Sequence, residues 1–529
     1  MRFITSEQMR VADKKAIAKA DSSGILLMSR AGTALARVVE TVAALRQVKR
    51  VVLIAGHGNN GGDACIAARC LAEDGLHVQV IMTCVPATLK GEAREAWDEM
   101  RTAGVPYVVL ASAESWRDDL PVLSGTVMRH GVIVDGVLGI GCKGAPTGAA
   151  EQAILWINRM RPHALVVSAD IPSGMNGDTG VAAGVVVHAD VTVTFGRPKR
   201  CFLNQEQAFL VGQLMVADIG IPAEIADNGV ADTPCQLITA MELSEHYGQR
   251  LWSAHKGSFG HLCILGGAPG YAHAPVLAAL GAIQSGVGRL TLVVPPASAP
   301  AAAMHVPEVM THVLGATMQA ELTLDALRLW GRDLNAFDVM VAGPGLTTSE
   351  HARALIYHLL EHASGRLVLD ADALNILADL DSAKVLRPAG QQRILTPHPG
   401  EAARLLKSTV AEVQADRLTA VQRLAEMYQA VVVLKGAGSL VCEPGGTPWI
   451  NMTGNPGMAS GGMGDVLAGM IGALWAQGLS PQQAASTAVW THAMAGDFAA
   501  FADGQTTLKA TSLTYYLGRV FRLLERGDN

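Results

Sequence analysis

The sequence predicts an α/β protein with two domains, each built from parallel β-α-β units. Short apolar runs typical of buried strands alternate with longer stretches of helical periodicity, which is the pattern of such units. The alternation fills residues 1–222, stops in mixed polar sequence at 223–250 and restarts over 251–529. A chain of 529 residues also exceeds what a single hydrophobic core usually supports. We therefore expect a front domain, a linker region and a larger back domain.

The chain opens with a helix signal, because Thr5 and Gln8 have the spacing of a capping box. Apolar runs typical of buried strands follow in the front half. They lie at 51–56, 78–82, 132–140 and 165–171. Further runs of the same kind occupy the back half. They lie at 261–267, 289–295, 339–345, 366–372, 393–400 and 430–436.

Composition excludes several classes of function. With 50% hydrophobic and 17% charged residues the chain is a foldable globular protein, and a net charge of −6 without a basic run argues against a nucleic-acid partner. No run of 18 apolar residues is present and the first residues are polar, so we expect no membrane span and a cytoplasmic location. The eight cysteines show neither C-x-x-C pairs nor zinc-site spacing, which indicates reduced thiols.

Three polar loops follow strands of the front half. The first, GHGNNGGD at 56–63, leads into a helix, and its Asn59, Asn60 and Asp63 would suit a ribose or a hard cation. Asp135 lies near a strand end within the third apolar run, and Asp170 and Ser173 lie at the C-terminus of the fourth strand. One such Asp is often only a helix cap, and a glycine-rich loop is often a plain turn. Three together at strand ends, where open α/β sheets bind ligands, indicate a site.

The back half carries its strongest motif at 454–474, GNPGMASGGMGDVLAGMIGAL. A helix follows this glycine-rich loop, and Asp465 falls in its first turn, where it could take a proton from a substrate hydroxyl or merely cap the helix. Lys435 begins KGAGS after another strand, which is not a P-loop, and His398 lies between two prolines in TPHPGE. DADALN at 370–375 and GPGL at 343–346 complete a ring of strand-end loops.

GNNGGD, VDGVLGIGCKG, ADIPSGMNGDTG and VTFGRPK together resemble the NAD(P)H-hydrate epimerase family, over nearly all of residues 1–222. The resemblance implies a Rossmann-like, three-layer domain with Asp170 as the catalytic acid or base, and a potassium ion held by Asn60, Asp135 and Ser173. Residues expected to contact the hydrated dinucleotide are Asn59, Asn60, Gly61, Gly62, Asp63, Gly139, Ile140, Gly141, Cys142, Lys143, Gly144 and Ala145. The chain has Ala64 where the family usually has glycine.

The back-half motifs resemble the ADP- or ATP-dependent NAD(P)H-hydrate dehydratase family, over roughly 250–520. The resemblance implies a ribokinase-like fold, Mg²⁺, and catalysis by Asp465, with Gly345 and His398 facing the hydrated nicotinamide. It also implies an adenine-nucleotide site, formed by Lys435, Gly436, Ala437, Gly438, Ser439 and Gly464. Thr347 stands in the place of the last glycine of the family's GPGLG.

The whole chain is similar to the bifunctional bacterial repair enzymes, which typically use ADP and yield AMP and phosphate. The resemblance further implies a homo-oligomer. It also implies that the front domain epimerises R and S NAD(P)H hydrate and that the back domain dehydrates the S form. One alternative is a small-molecule kinase whose front domain binds a dinucleotide without catalysis. The sequence leaves open ADP against ATP, NADH hydrate against NADPH hydrate, and the effect of Ala64 and Thr347 on activity.

Overall fold

The computed structural model describes residues 1–19, 23–118, 131–142, 144–227, 233–316, 321–363, 365–380 and 390–526. The chain forms two compact units, Met1–Thr233 and Pro234–Asn529. Their boundary falls within the 223–250 region that we expected to be a linker. Much of that region is ordered, because the helix Ala223–Ala226 belongs to the first unit and the strand Gln236–Leu237 to the second.

The first unit is organised around a seven-stranded sheet in which every pairing is parallel. The strands are β1 (Arg50–Ala55), β2 (His77–Met82), β3 (Tyr107–Val109), β4 (Val132–Gly136), β5 (Leu165–Ala169), β6 (Val191–Phe195) and β7 (Gln213–Ala217). Their order in the sheet is β3-β2-β1-β4-β5-β6-β7. The order reverses between β1 and β4, and open α/β sheets bind ligands at such a switch point.

Helices cover the first sheet, and two apolar clusters pack against it. The helices are Ser6–Lys19, Gly24–Leu45, Asn59–Glu73, Gly91–Thr102, Ala113–Asp118, Gly148–Met160, Ala208–Val211 and Ala223–Ala226. The predicted capping box at the first helix is confirmed, since the Thr5 backbone N–H donates to Gln8 Oε1 (2.8 Å) and the Gln8 N–H donates to Thr5 Oγ1 (3.1 Å).

The second unit contains a ten-stranded mixed sheet. Its strands are β8 (Gln236–Leu237), β9 (His261–Leu265), β10 (Arg289–Val294), β11 (Met310–Val313), β12 (Val339–Ala342), β13 (Arg366–Leu369), β14 (Gln392–Leu395), β15 (Val431–Leu434), β16 (Ser439–Cys442) and β17 (Trp449–Asn451). The order is β11-β10-β9-β12-β13-β14-β15-β16-β17-β8. The pairings of β16 with β15 and β17 are antiparallel, and the others are parallel.

The second unit's apolar core includes the inward faces of its largest helices. Its helices are Ala240–Ser244, Ala274–Gln284, Ala299–His305, Leu324–Trp330, Glu350–His362, Asp372–Asp379, Pro399–Leu406, Val410–Ala415, Arg417–Tyr428, Met463–Ala476, Pro481–Asp503 and Ala510–Arg526. Met463–Ala476 is buried over nearly its whole length, as its uniformly apolar sequence predicts. The α/β prediction is confirmed in both units. All ten predicted strands are present, and nine of them end earlier than predicted, the exception being β2.

Two further observations agree with the composition. All eight cysteines are free thiols, and five of them are buried. In the ranges that the structure describes, no helix combines the length and the hydropathy needed to cross a membrane.

Candidate active sites

Most predicted site residues lie at or just after the carboxyl ends of parallel strands. In the first unit these are the ends of β1, β4 and β5. In the second unit Gly345, His398 and the loop that begins at Lys435 follow β12, β14 and β15, and Gly464 and Asp465 begin the helix that comes after β17. Because parallel strands end at the same edge of a sheet, each set of loops lies along one edge. We therefore describe one candidate site in each unit.

Asn60, Asp135 and Ser173 form one buried hydrogen-bonded network. The Ser173 hydroxyl lies 2.5 Å from Asp135 Oδ1, and the Ser173 backbone N–H donates to Asp135 Oδ2 (2.9 Å). The Ser168 hydroxyl donates to Asp135 Oδ2 as well (2.8 Å). The Asn60 side-chain amide donates to the Leu138 carbonyl (3.1 Å), which lies 3.0 Å from Ser173 Oγ. Burial raises the pKa of Asp135, and these hydrogen bonds oppose the shift.

Asp170 forms a buried ion pair with Lys199. The Lys199 ammonium is 1% exposed; it donates to Asp170 Oδ1, to Thr194 Oγ1 (3.0 Å) and to the Phe195 carbonyl (2.8 Å). Asp170 has a positive φ of 62°, which non-glycine residues rarely adopt. Such backbone conformations concentrate at functional sites, where the surrounding structure maintains them.

Two further carboxyl groups interact with this ion pair. Burial, followed by the charges of Asp170 and Asp13, raises the pKa of Asp63 well above its usual value. Burial also raises the pKa of Asp13 to about 6, Lys199 opposes the shift, and Asp170 adds to it. Besides Asp135, the first candidate site thus contains one buried ammonium and three carboxyl groups close to one another, which suits proton transfer.

The loop after β1 approaches its neighbours closely at its glycines. A Cβ at Gly61 would lie 2.0 Å from the Gly56 carbonyl oxygen, so only glycine fits there. Asn59 is exposed at the start of the helix, whereas Asn60 and Asp63 are buried. Ala64 is fully buried and lies against Gly136, whose missing side chain leaves room for the methyl group.

The loop at 139–145 lies partly at the surface. Residues 140–142 form a turn in which the Cys142 N–H donates to the Gly139 carbonyl (3.0 Å). A cavity of about 200 Å³ adjoins this loop and is lined in part by Cys142, Gly144 and Met175. Lys143 lies outside the described residues.

In the second unit, Lys435 lies among carboxylates. Its ammonium donates to Asp370 Oδ1 (2.7 Å) and lies 3.9 Å from Glu401 Oε2. Thr396 also donates to Asp370 Oδ1 (2.7 Å). Lys435 is thus ion-paired at its charged end, while the remainder of its loop, 436–438, turns tightly between β15 and β16.

Glu401 is buried beneath the exposed side chain of His398. The His398 backbone N–H donates to Glu401 Oε2 (2.8 Å), and His398 Nε2 lies 3.4 Å from Oε1. Burial raises the pKa of Glu401 to about 7, with Lys435 opposing and Asp370 reinforcing the shift. Burial lowers the pKa of His398, and the charge of Lys435 lowers it further.

Asp465 lies in the first turn of the helix Met463–Ala476, where unpaired backbone N–H groups favour an anion. Burial raises its pKa to about 7; Asp370 adds to the shift and Lys435 opposes it. A carboxylate with a pKa near neutrality can accept and release a proton under working conditions. Gly464 lies beside Lys435, since a Cβ built on it would be 3.3 Å from the Lys435 ammonium nitrogen.

Two loops meet at the switch point between β9 and β12. The backbone N–H of Ala268 donates to the Gly345 carbonyl (2.6 Å). Gly345 itself has a φ of 63°, and a Cβ there would lie 2.7 Å from Tyr271. Thr347 has a φ of 68°, which explains why glycine suits this position. Its backbone N–H donates to Asp372 Oδ2 (2.8 Å).

Several residues of these sites were not among the predicted ones. Lys199 lies within VTFGRPK, Asp370 within DADALN and Glu401 within TPHPGE, so each is part of a motif quoted above. A polar residue directly after a buried strand is the signal that would have found Asp370. No comparable signal marks Asp13, which lies inside an ordinary helix.

Both halves of the chain are similar to known proteins. Residues 24–201 match the family model described as YjeF-related protein N-terminus, and residues 262–519 match the model described as NAD(P)H-hydrate dehydratase. The bifunctional NAD(P)H-hydrate repair enzyme of Moorella thermoacetica is 37% identical over 99% of this chain and 97% of that enzyme. The corresponding enzyme of Coxiella burnetii is 36% identical over 97% of this chain and 98% of its own.

The chain belongs to the bifunctional NAD(P)H-hydrate repair enzymes. This confirms the family predicted from the sequence, with its epimerase domain in front and its ribokinase-like dehydratase domain behind. The repair enzyme of Escherichia coli is 36% identical over 93% of this chain and 89% of its own length. The crystal structure of the ADP/ATP-dependent NAD(P)H-hydrate dehydratase from Bacillus subtilis, co-crystallised with ATP and Mg²⁺, is 30% identical with a TM-score of 0.49. It covers 55% of this chain and 99% of its own.

Proposed function

We propose that the first unit acts as an isomerase on R and S NAD(P)H hydrate, and that the second acts as a lyase on the S form, consuming ADP and releasing AMP and phosphate. The observation that carries this proposal is the placement of Asp465. A carboxyl group with a pKa of about 7 lies at a helix N-terminus beside buried Lys435, where a phosphoryl acceptor must lose a proton.

Dehydration needs a better leaving group than hydroxide. Asp465 takes the proton of the hydroxyl on C6 of the reduced ring as that oxygen accepts the terminal phosphoryl of ADP. Phosphate then departs from C6 with the C–O bonding pair, and C5 loses a proton to solvent or to the departing phosphate, which restores the ring double bond. Lys435 forms ion pairs with Asp370 (2.7 Å) and Glu401 (3.9 Å) close to Asp465, and the backbone N–H groups from Gly464 onward would face the phosphate charge.

The donor chemistry of this site also suits Mg²⁺, which usually binds one or two carboxylates together with substrate phosphates. No group of three or more His, Cys, Asp or Glu side chains in the described part of the chain could form a metal cage by itself. We propose that the Glu401 carboxylate would hold the ion together with the nucleotide phosphates, where it would neutralise phosphate charge. Nucleotide contacts from Lys435, Gly436, Ala437, Gly438, Ser439 and Gly464 stay a prediction, as do substrate contacts from Gly345 and His398.

Epimerisation inverts the configuration at C6, which requires the bond between ring nitrogen N1 and C6 to open as the hydroxyl becomes a carbonyl, and then to close on the other face. Asp170 is the proposed acid or base that takes the hydroxyl proton as this bond breaks and returns it as the ring closes. Lys199 fixes the carboxylate, and Asp63 supplies a protonated partner because burial raises its pKa. The oxygen donors of Asn60, Asp135 and Ser173, with the Leu138 carbonyl, suit a potassium ion, since all are hard ligands. Substrate contacts at 59–63 and 139–145, a homo-oligomeric assembly and a cytoplasmic location remain predictions.

Replacing Asp465 with Asn tests the proposal. D465N should lose more than about 1,000-fold in dehydration rate while it still binds ADP and epimerises the hydrate, since only the proton acceptor is removed. Asp325→Asn is the matched control, because Asp325 is an exposed acid on another helix. Turnover by D465N within tenfold of the unmodified chain would reject the role. A stable phosphorylated product, in place of phosphate and restored NADH, would favour the kinase alternative.

A further inference from the structure

The loop between β15 and β16 is held by one arginine. Arg417 is half-buried and begins the helix Arg417–Tyr428, next to this loop. Its Nη2 atom lies within hydrogen-bonding distance of three backbone carbonyl oxygens, those of Leu434 (3.2 Å), Lys435 (3.3 Å) and Gly438 (3.2 Å). A single guanidinium group therefore contacts both ends of the turn at 436–438.

The guanidinium group is itself fixed from two directions. Its Nη1 atom donates to Gln414 Oε1 (2.8 Å). Asp416 caps the helix by accepting a hydrogen bond from the Thr419 backbone N–H (3.0 Å), which fixes the backbone from which the Arg417 side chain extends. Because the guanidinium is planar and rigid, it holds the three carbonyl groups in one arrangement.

The position of these carbonyl groups determines where the loop directs its N–H groups. In a trans peptide the carbonyl and N–H bonds point in opposite directions, so holding the Lys435 carbonyl directs the Gly436 N–H away from Arg417. The backbone N–H groups of Gly436 and Ala437 donate to no residue in the part of the chain that the structure describes. Gly436 has a φ of 133°, and a glycine could easily adopt other conformations if the preceding carbonyl were released.

Arg417 also carries a positive charge without a carboxylate partner. Within the described ranges no Asp or Glu side chain forms an ion pair with it, and burial lowers its pKa with no acidic group opposing the shift. A charge that is removed from water is usually paired with an opposite one. An anionic group bound at the loop would supply the missing negative charge.

We propose that Arg417 is a positioning residue for the nucleotide of the dehydratase reaction. By holding three carbonyl groups of the loop, it directs the N–H groups of Gly436 and Ala437 toward the phosphate groups of ADP. It acts through the loop and touches neither the hydrated ring nor the reacting atoms. This inference rests on the proposed function, since it assumes that the loop binds ADP.

Two substitutions at Arg417 and one control test the inference. R417M removes every hydrogen bond to the loop, whereas R417K keeps the charge and some donor capacity without the planar fork. R423M is the matched control, because Arg423 is an exposed arginine of the same helix. Steady-state dehydration kinetics are measured on the full chain with ADP and Mg²⁺, together with epimerase rates and thermal melting.

We expect R417M to raise the KM for ADP about tenfold, because the loop loses its hydrogen bonds at three carbonyl groups. The KM for the S hydrate should change less than about twofold and kcat less than about threefold, since Asp465 lies on another helix. R417K should raise the KM for ADP about threefold, and R423M should match the unmodified chain. An unchanged KM for ADP in R417M would overturn the inference. So would both KM values rising by the same factor, since that result shows a general packing role.

A variant that fails to fold is recognised by its melting curve. If R417M does not fold, ADP binding to R417K by calorimetry decides, with a rise in Kd of about threefold expected and an unchanged Kd contradicting the inference. An unmodified chain that binds ADP without dehydrating the S hydrate would instead contradict the proposed function. The two failures are therefore distinguishable.

Discussion

Replacing Lys199 with Met should separate the two activities of the chain. Met approximates the length of the lysine side chain but lacks the ammonium group. The substitution leaves Asp170 buried without its ion-pair partner, and it leaves the Phe195 carbonyl without the donor at 2.8 Å. We expect epimerisation to be lost and the first unit to become less stable, while dehydration continues.

The magnitude follows from these contacts. Removing one partner of a buried ion pair typically costs about 3–5 kcal/mol, because an uncompensated charge remains. We therefore expect K199M to lower the free energy of unfolding of the first unit by about 3 kcal/mol, the lower end of this range.

The assay is urea denaturation of the full chain, in which hydrogen exchange of peptides from each unit reports the unfolding of the two units separately. Epimerase and dehydratase activities are measured in the absence of urea. Arg161→Met is the control, because Arg161 forms an exposed ion pair with Asp190 in the same unit. Exposed pairs contribute about 0–1 kcal/mol. Destabilisation of the first unit by K199M of under about 1 kcal/mol, or retained epimerase activity, would refute the reasoning.

Two further predictions concern the second unit. The dehydratase kcat should rise as the pH increases through about 7. The reason is that Asp465 and its neighbour Glu401 have pKa values of about 7, and Asp465 acts as the base only when it is ionised. A kcat that does not change between about pH 5.5 and about pH 8 would contradict this prediction. Thr347→Gly should stabilise the second unit by about 1 kcal/mol in thermal melting, because Thr347 has a φ of 68°, whereas Thr348→Gly should destabilise it by a similar amount. Equal effects of the two substitutions would contradict that explanation.

Sequence reasoning located the sites through a single physical rule. Parallel strands end at one sheet edge, so Asn60, Asp135 and Ser173 could be expected near one another, and the structure brings them into one network. The rule does not predict Asp465, which lies in the first turn of a helix; the glycine-rich loop before that helix was the signal for it. Apolar runs marked the central strands because both faces of a central parallel strand are buried.

The remaining features depend on tertiary contacts. A lysine is normally exposed, so Lys199 could not be predicted as fully buried without its partner Asp170, 29 residues away in the chain. TPHPGE drew attention to His398, yet the structure leaves that side chain exposed and buries Glu401. The three-residue strands β3 and β17 are too short to show periodicity.

The most direct test of the account supplies the unmodified chain with a mixture of R and S NADH hydrate, ADP, Mg²⁺ and K⁺, and follows the return of NADH absorbance. The account predicts that both forms are converted completely, with one AMP and one phosphate formed for each NADH. If the S form is converted but the R form disappears no faster than it epimerises spontaneously, the epimerase assignment is contradicted. No recovery with either ADP or ATP would contradict the account as a whole.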